Sequence, residues 1–178
     1  MDSEHRPKGS FAAFLLAQVG AQGAKKFAER LQPLGLMPAH AGILRRLAQS
    51  SGLSQRELAA RLHMHASRLV GVVDEMEKLG LVMRNGNAED RRSYSLELTD
   101  KGRATMREVG KISMEHNAAL CAALTEQERE TLVSLLQRIA DEQGLTSGVH
   151  PGYAQLGDGR LGERRARTGE AKKDENQR

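Results

Sequence analysis

The apolar positions of this chain recur every three or four residues over most of its length and switch to a period of two only between Leu81 and Leu98. The first spacing lines up side chains on one stripe of a helix, and the second places them on one face of a strand. A mainly α protein with one hairpin is therefore expected. A helix opens at Ser54, with Glu57 three residues on, so that hydroxyl and carboxylate can satisfy each other's orphan amides; Leu58, Ala59 and Leu62 share its inner face. After a break at 63–65, Leu69, Val72, Val73 and Met76 form the stripe of a second helix, with Ser67, Gly71 and Lys78 opposite and Gly80 at its end. Leu81 to Arg84 then reads as a strand and Asn85-Gly86 as the start of a turn. Tyr94, Leu96 and Leu98 are the inward residues of the returning strand. Two helices joined by a tight link and followed by a basic hairpin make a winged helix-turn-helix, whose second helix is shaped to enter a DNA major groove.

Longer helices flank this unit. Ser10 is placed to cap the first, which carries Phe14, Leu15, Leu16, Phe27 and Leu31 and stops before Pro33 and Gly35. Gly20 and Gly23 weaken its middle by about 1 kcal/mol each relative to Ala, so they either admit a closely packed second helix or are tolerated defects; packing in a dimer is the favoured reading. Pro38 opens the next helix, with Ile43, Leu44 and Leu47 inward. Beyond the hairpin, Thr99 caps a long helix with Met106, Val109 and Ile112 inward, extended by Met114, Ala118, Cys121 and Leu124. Thr125 and Glu128 repeat the capping pair before a last helix that buries Leu132, Leu135, Leu136 and Ile139. From Gly144 the periodicity stops. The expected division is a flexible start over 1–9, helical dimerisation segments over 10–36 and 100–142, a winged helix-turn-helix over 37–99 and a flexible, Gly-rich charged tail over 143–178.

Composition narrows the partner. The formal net charge of +4 over 178 residues suits a polyanion, and the absence of Trp with only three Phe and two Tyr leaves little to stack on single-stranded bases. One cysteine excludes an internal disulfide and fits a reducing cytoplasm. Arg6 and Lys8 precede an apolar run from Phe11 to Ala17, but Asp2 and Glu4 lie among them and Gln18 interrupts the run, so neither an export signal nor a membrane span is expected.

The run Leu53-Ser54-Gln55-Arg56-Glu57-Leu58-Ala59 is followed by Val73-Asp74, by Glu77-Lys78-Leu79-Gly80-Leu81-Val82 and by Glu89-Asp90-Arg91-Arg92. Leu96-Glu97-Leu98-Thr99-Asp100-Lys101-Gly102 completes the series. In order and spacing these segments resemble the MarR-type transcriptional repressors, over Phe11 to about Asp141. The resemblance implies a dimer in which the first helix and the last two interlock with their copies and two recognition helices read a pseudo-palindrome. It also implies release from DNA by a small-molecule effector, often a phenolic or other aromatic acid, lodged between the first, second and post-wing helices. Phe14, Gln18, Met37, His40 and His116 are the candidates for that pocket.

Ser67 and Arg68 fall in the first turn of the recognition helix, with His65 at or beside its cap; Arg68 can pair with guanine or hold a phosphate. Ser54 and Gln55, at a helix start, suit a phosphate. Gly71 stands where the family commonly carries a long polar or basic side chain, which shifts weight onto Arg68. Asp74 and Glu75 would repel phosphates unless paired, and Arg92, sharing parity with Tyr94 and Leu96, is the expected partner of Asp74 or Asp90. That leaves Arg91 for the minor groove, although the two arginines can exchange roles.

Other functions find less support. No nucleophile elbow or phosphate-binding glycine loop is present, so no enzyme and no cofactor are expected. His63 and His65 point different ways, and His40, Glu115 and His116 lack a recognisable ligand set, which argues against a metal sensor. The apolar neighbours of Cys121 favour a packed thiol over a redox sensor. A winged helix that binds a protein partner instead of DNA is the alternative from another class, opposed by Arg68 and the basic wing.

Overall fold

The computed structural model describes residues 11–86, 94–150 and Tyr153. Six helices and a small antiparallel sheet make up these residues: α1 (Ala12–Leu31), a 3-10 turn (Gln32–Leu34), α2 (Pro38–Gln49), β1 (Leu53–Ser54), α3 (Gln55–Arg61), α4 (Ala66–Lys78), β2 (Val82–Gly86), β3 (Tyr94–Leu98), α5 (Asp100–Leu120) and α6 (Glu126–Glu142). The sheet order is β1-β3-β2, with Leu53 opposite Leu96 and Val82 opposite Leu98.

The core lies where α2, α3 and α4 meet the sheet. Ile43, Leu44, Leu58, Leu62, Leu69, Met76 and Leu96 are all fully buried, and Met106 and Ile112 of α5 pack against them from outside beside the buried Val109. Ser54 caps α3 as its sequence predicts: its Oγ accepts from the Glu57 amide at 3.2 Å while the Glu57 carboxylate accepts from the Ser54 amide at 2.8 Å. At the end of α4, Gly80 adopts φ +69°, which lets its N–H reach the Glu77 carbonyl and the Leu81 N–H reach that of Met76. Thr99 then joins this corner to α5. Its Oγ1 donates to the Gly80 carbonyl at 2.7 Å and accepts from the Gly102 amide at 2.9 Å, and a Cβ on Gly102 would stand 2.0 Å from the Leu81 carbonyl oxygen. The run Leu98-Thr99-Asp100-Lys101-Gly102 is thus a weld between the recognition helix and the long helix, with glycine required by close backbone approach.

Several expectations change. β1 was not anticipated, because two residues give no alternation to read. Asn85 and Gly86 belong to β2, paired with Ser95 and Tyr94, so the strand outruns the expected turn. Tyr94 is 51% exposed, since its cross-strand neighbour is Gly86 and the sheet there has passed the edge of the core. Phe11, not Ser10, occupies the cap position of α1; Ser10 lies outside the described residues. α5 stops at Leu120, leaving Cys121 as its cap. In α6 no residue is buried in the single chain: Leu135, Leu136 and Ile139, expected inside, are exposed. Finally, the absence of periodicity after Gly144 predicts a free tail, yet Tyr153 packs on the core and donates to the Pro38 carbonyl at 3.3 Å. No described helix is long and apolar enough to cross a membrane.

Candidate nucleic-acid interface

The recognition helix α4 is presented by its buried stripe. Leu69, Val72, Val73 and Met76 fix its inner face, and that leaves Ser67 and Gly71 exposed on the outer one, with nothing within 4 Å of a Cβ added at Gly71. His65 is the N-cap residue, in extended conformation, with no side-chain cap bond. The turn before it is tight, with His63 at φ +51°. Ser54 and Gln55 stand together at the start of α3. The Ser54 hydroxyl donates to Glu57 Oε2 at 2.8 Å and is therefore engaged in the cap, whereas Gln55 Nε2 is buried with no hydrogen-bond partner among the described residues.

Arg68 takes a different direction from Ser67 and Gly71. It is half-buried, its Nε is buried without a hydrogen-bond partner among the described residues, and it lines a cleft of about 330 Å³ with Ala24 and Phe27 of α1, Met37, Pro38 and Ala39 at the head of α2, His150 and Tyr153. Of the five residues expected around an effector, Met37 lies here. His116 lines a more open cleft between α1, α5 and α6, where its ring meets that of Phe27 at 5.4 Å. Burial, reinforced by Arg30 and Lys26, holds the His116 imidazole below the usual histidine range. Phe14 and Gln18 sit on the exposed face of α1, and His40 is turned into the core.

The acidic half of α4 is neutralised by residues that the sequence reading missed. Arg84 of β2, with its side chain 21% exposed, bridges Asp74 and Glu77. Burial opposes the guanidinium charge, but the two carboxylates outweigh it and raise the Arg84 pKa above the ordinary arginine value. Asp74 therefore has Arg84 as a partner that the sequence reading did not suggest, and the expected contact from Arg92 falls outside the described residues. Asp90, Arg91 and Arg92 lie outside the described residues. Arg84 shares inward parity with Val82, and that parity, set against carboxylates three residues apart on the preceding helix, was the available signal. Glu75 is met by His40: the Met37 N–H donates to His40 Nδ1 at 3.2 Å, which leaves the hydrogen on Nε2 to face Glu75 Oε2 at 3.3 Å. His40 is on the inward stripe of α2 with Ile43, Leu44 and Leu47, so its burial was legible and its partner was not.

This arrangement is a rigid helix with a neutralised rear half, an open front face and a sheet-braced base, which is what insertion into a major groove requires. A profile of the MarR family matches residues 34–93. The chain is 32% identical over 136 residues to a putative transcriptional regulatory protein for the hcr operon of Thauera aromatica, covering 76% of each chain. It is 30% identical over 129 residues to an HTH-type transcriptional repressor of Mycobacterium tuberculosis, covering 72% of this chain and 93% of that one. Among solved structures it resembles the transcriptional repressor CouR bound to a 23-mer DNA duplex, at TM-score 0.66 and 32% identity over 73% of this chain and 92% of that one. With a braced recognition helix, a wing and a Thr99 weld in the expected order, and with relatives that are regulators and not enzymes, this chain belongs to the MarR family of DNA-binding transcriptional regulators.

Proposed function

We propose that the protein is a cytoplasmic homodimeric repressor that leaves its operator when an aromatic or phenolic carboxylate enters the cleft beside the recognition helix. The observation that carries this reading is Arg68: a cation in the first turn of α4 whose Nε lies buried and unpartnered among the described residues in a mostly apolar cleft. A buried unpartnered donor is costly, and a carboxylate would supply its acceptor while an aromatic ring meets Phe27 and Tyr153. The same side chain is the candidate for a guanine or phosphate contact, so ligand and DNA would compete for it. Ser67 and Gly71 face the major groove in this reading, Ser54 and Gln55 the phosphate backbone, and Arg91 or Arg92 the minor groove. The dimer is supported by the apolar residues that α1 and α6 leave exposed, including Phe14, Val19, Val133 and Leu135.

The test is a gel shift on the DNA flanking the protein's own gene, with a salt titration and then a titration of 4-hydroxybenzoate. Salt-dependent binding by the wild type, and its release by the acid, are the expected results. Arg68→Ala should bind more weakly and lose the response to the acid. Release of Arg68→Ala at the same concentration as wild type would remove the cleft from the account.

A further inference from the structure

The chain beyond α6 does something specific in this protein. Thr146 Oγ1 lies 3.2 Å from His63 Nε2, at the strained turn between α3 and α4. Ser147 and Gly148 then pass over the outer side of α2, forming a cleft with Arg45, Arg46 and Gln49. Further on, the Tyr153 ring rests on α2 with its hydroxyl bonded to the Pro38 carbonyl at 3.3 Å, and His150 meets that ring at 5.8 Å. The seat is cut for it: a Cβ on Gly42 would stand 2.3 Å from the Tyr153 hydroxyl oxygen and 2.7 Å from Cζ. A mid-helix glycine costs stability, and here it admits a ring.

We infer that residues 144–150 and Tyr153 form a strap, locked by Tyr153 over Gly42, that supplies the outer wall of the Arg68 cleft and so sets which ligands the protein holds. This deepens the effector reading above and rests on it for the ligand. The seat itself does not. The strap ties three parts together: the end of α6, the turn that leads into the recognition helix, and the head of α2. His150 and Tyr153 line the cleft together with Ala24 and Phe27 of α1, so a planar ring entering beside Arg68 would meet both α1 and the strap. Without that wall the cleft would be an open groove.

The seat can be tested in the full-length chain without any ligand. Tyr94 and Tyr153 are the two tyrosines and Trp is absent, so in a Tyr94→Phe background Tyr153 is the sole tyrosine emitter. Acrylamide quenching of that emission should rise at least threefold in Gly42→Ala, which leaves α2 a better helix former while taking away the seat, and should change little in a Gly110→Ala control, where an added methyl meets open space. Equal quenching with and without Gly42→Ala would overturn the strap. The wall is tested by calorimetric binding of 4-hydroxybenzoate: Gly42→Ala and Tyr153→Ala should each weaken it tenfold or more, and Tyr153→Phe, which keeps the ring and loses one hydrogen bond, less than fivefold. Undiminished binding by Tyr153→Ala would overturn the wall while leaving the effector reading intact. No binding to the wild type by 4-hydroxybenzoate or benzoate would sink both the effector reading and the wall, and the seat would still stand or fall on the quenching.

Discussion

Between α2 and β3 the chain closes a core of its own, with Leu44, Leu58, Leu69 and Leu96 each at 0% exposure, whereas on α1 and α6 Phe14, Val133 and Ile139 remain 65%, 65% and 46% exposed. Both regions carry apolar stripes of helical period. The difference lies in what each stripe can reach within a single chain. Three short helices and a sheet enclose a volume, but α1, α5 and α6 have only one another and one side of that unit, so part of their apolar surface stays exposed in the single chain. A reader that folds on its own contacts and an arm that the proposed dimer would complete is a division suited to a regulator. The reader must stay rigid, while the distance between two readers can be altered through the arms.

The sharpest break between the two regions would come on α6. Leu135→Glu with Ile139→Glu places charges on the exposed apolar face four residues apart, so the dimer should dissociate in sedimentation experiments. Operator affinity should then fall at least roughly a hundredfold, about 3 kcal/mol, because one half-site is lost. The reader core contains no α6 residue and should keep its own melting transition. A variant that stays dimeric would show that the exposed face has another purpose.

Arg84→Ala probes the bracing of the reader. It removes the only basic partner that Asp74 and Glu77 have among the described residues, and the partly exposed pairs lost are worth about 1 kcal/mol, or roughly 2–4 °C in melting temperature. Operator binding should weaken more than stability does, since two uncompensated carboxylates repel the backbone. Arg84→Lys should recover the charge and only part of the bridge.

Gly71→Ala sharpens the comparison at the groove. Open space surrounds the site, so thermal stability should rise by up to about 1 kcal/mol from helix propensity alone. If the backbone of α4 approaches the bases here, affinity should fall even so, and undiminished affinity would leave the glycine as a plain weakness.

The smallest effect concerns His116, where α1 meets α5. Its folded pKa is lowered, chiefly by burial and then by Arg30 and Lys26, so the unfolded chain takes up a proton more readily. The sign follows: the neutral ring's contribution is fully present above the unfolded histidine value of about 6.5 and is lost as pH falls through the lower folded value. Melting temperatures measured between pH 7.5 and 5 should decline less steeply in His116→Gln than in the wild type. Parallel curves would assign the acid sensitivity to other groups.

Local chemistry made most of the fold legible before any coordinates. Capping pairs at Ser54 and Thr125, the stripe of α4, the left-handed Gly80 and the alternation of Leu96 and Leu98 each depend on residues within a few positions of one another, and these determine the winged helix-turn-helix, its recognition helix and the family. Tertiary structure alone decided the partnerships: Arg84 with Asp74 and Glu77, His40 with Glu75, Arg68 turned toward a cleft instead of standing clear with Ser67, and Tyr153 seated on Gly42. Periodicity says which face of an element is buried but carries no information about which distant group will meet it there. A segment without periodicity, such as the one after Gly144, gives no hint that one of its rings has a socket on another helix. For the same reason the exposed stripe of α6 reads in sequence like any core stripe, because period reports that an apolar face must be covered and not by which chain.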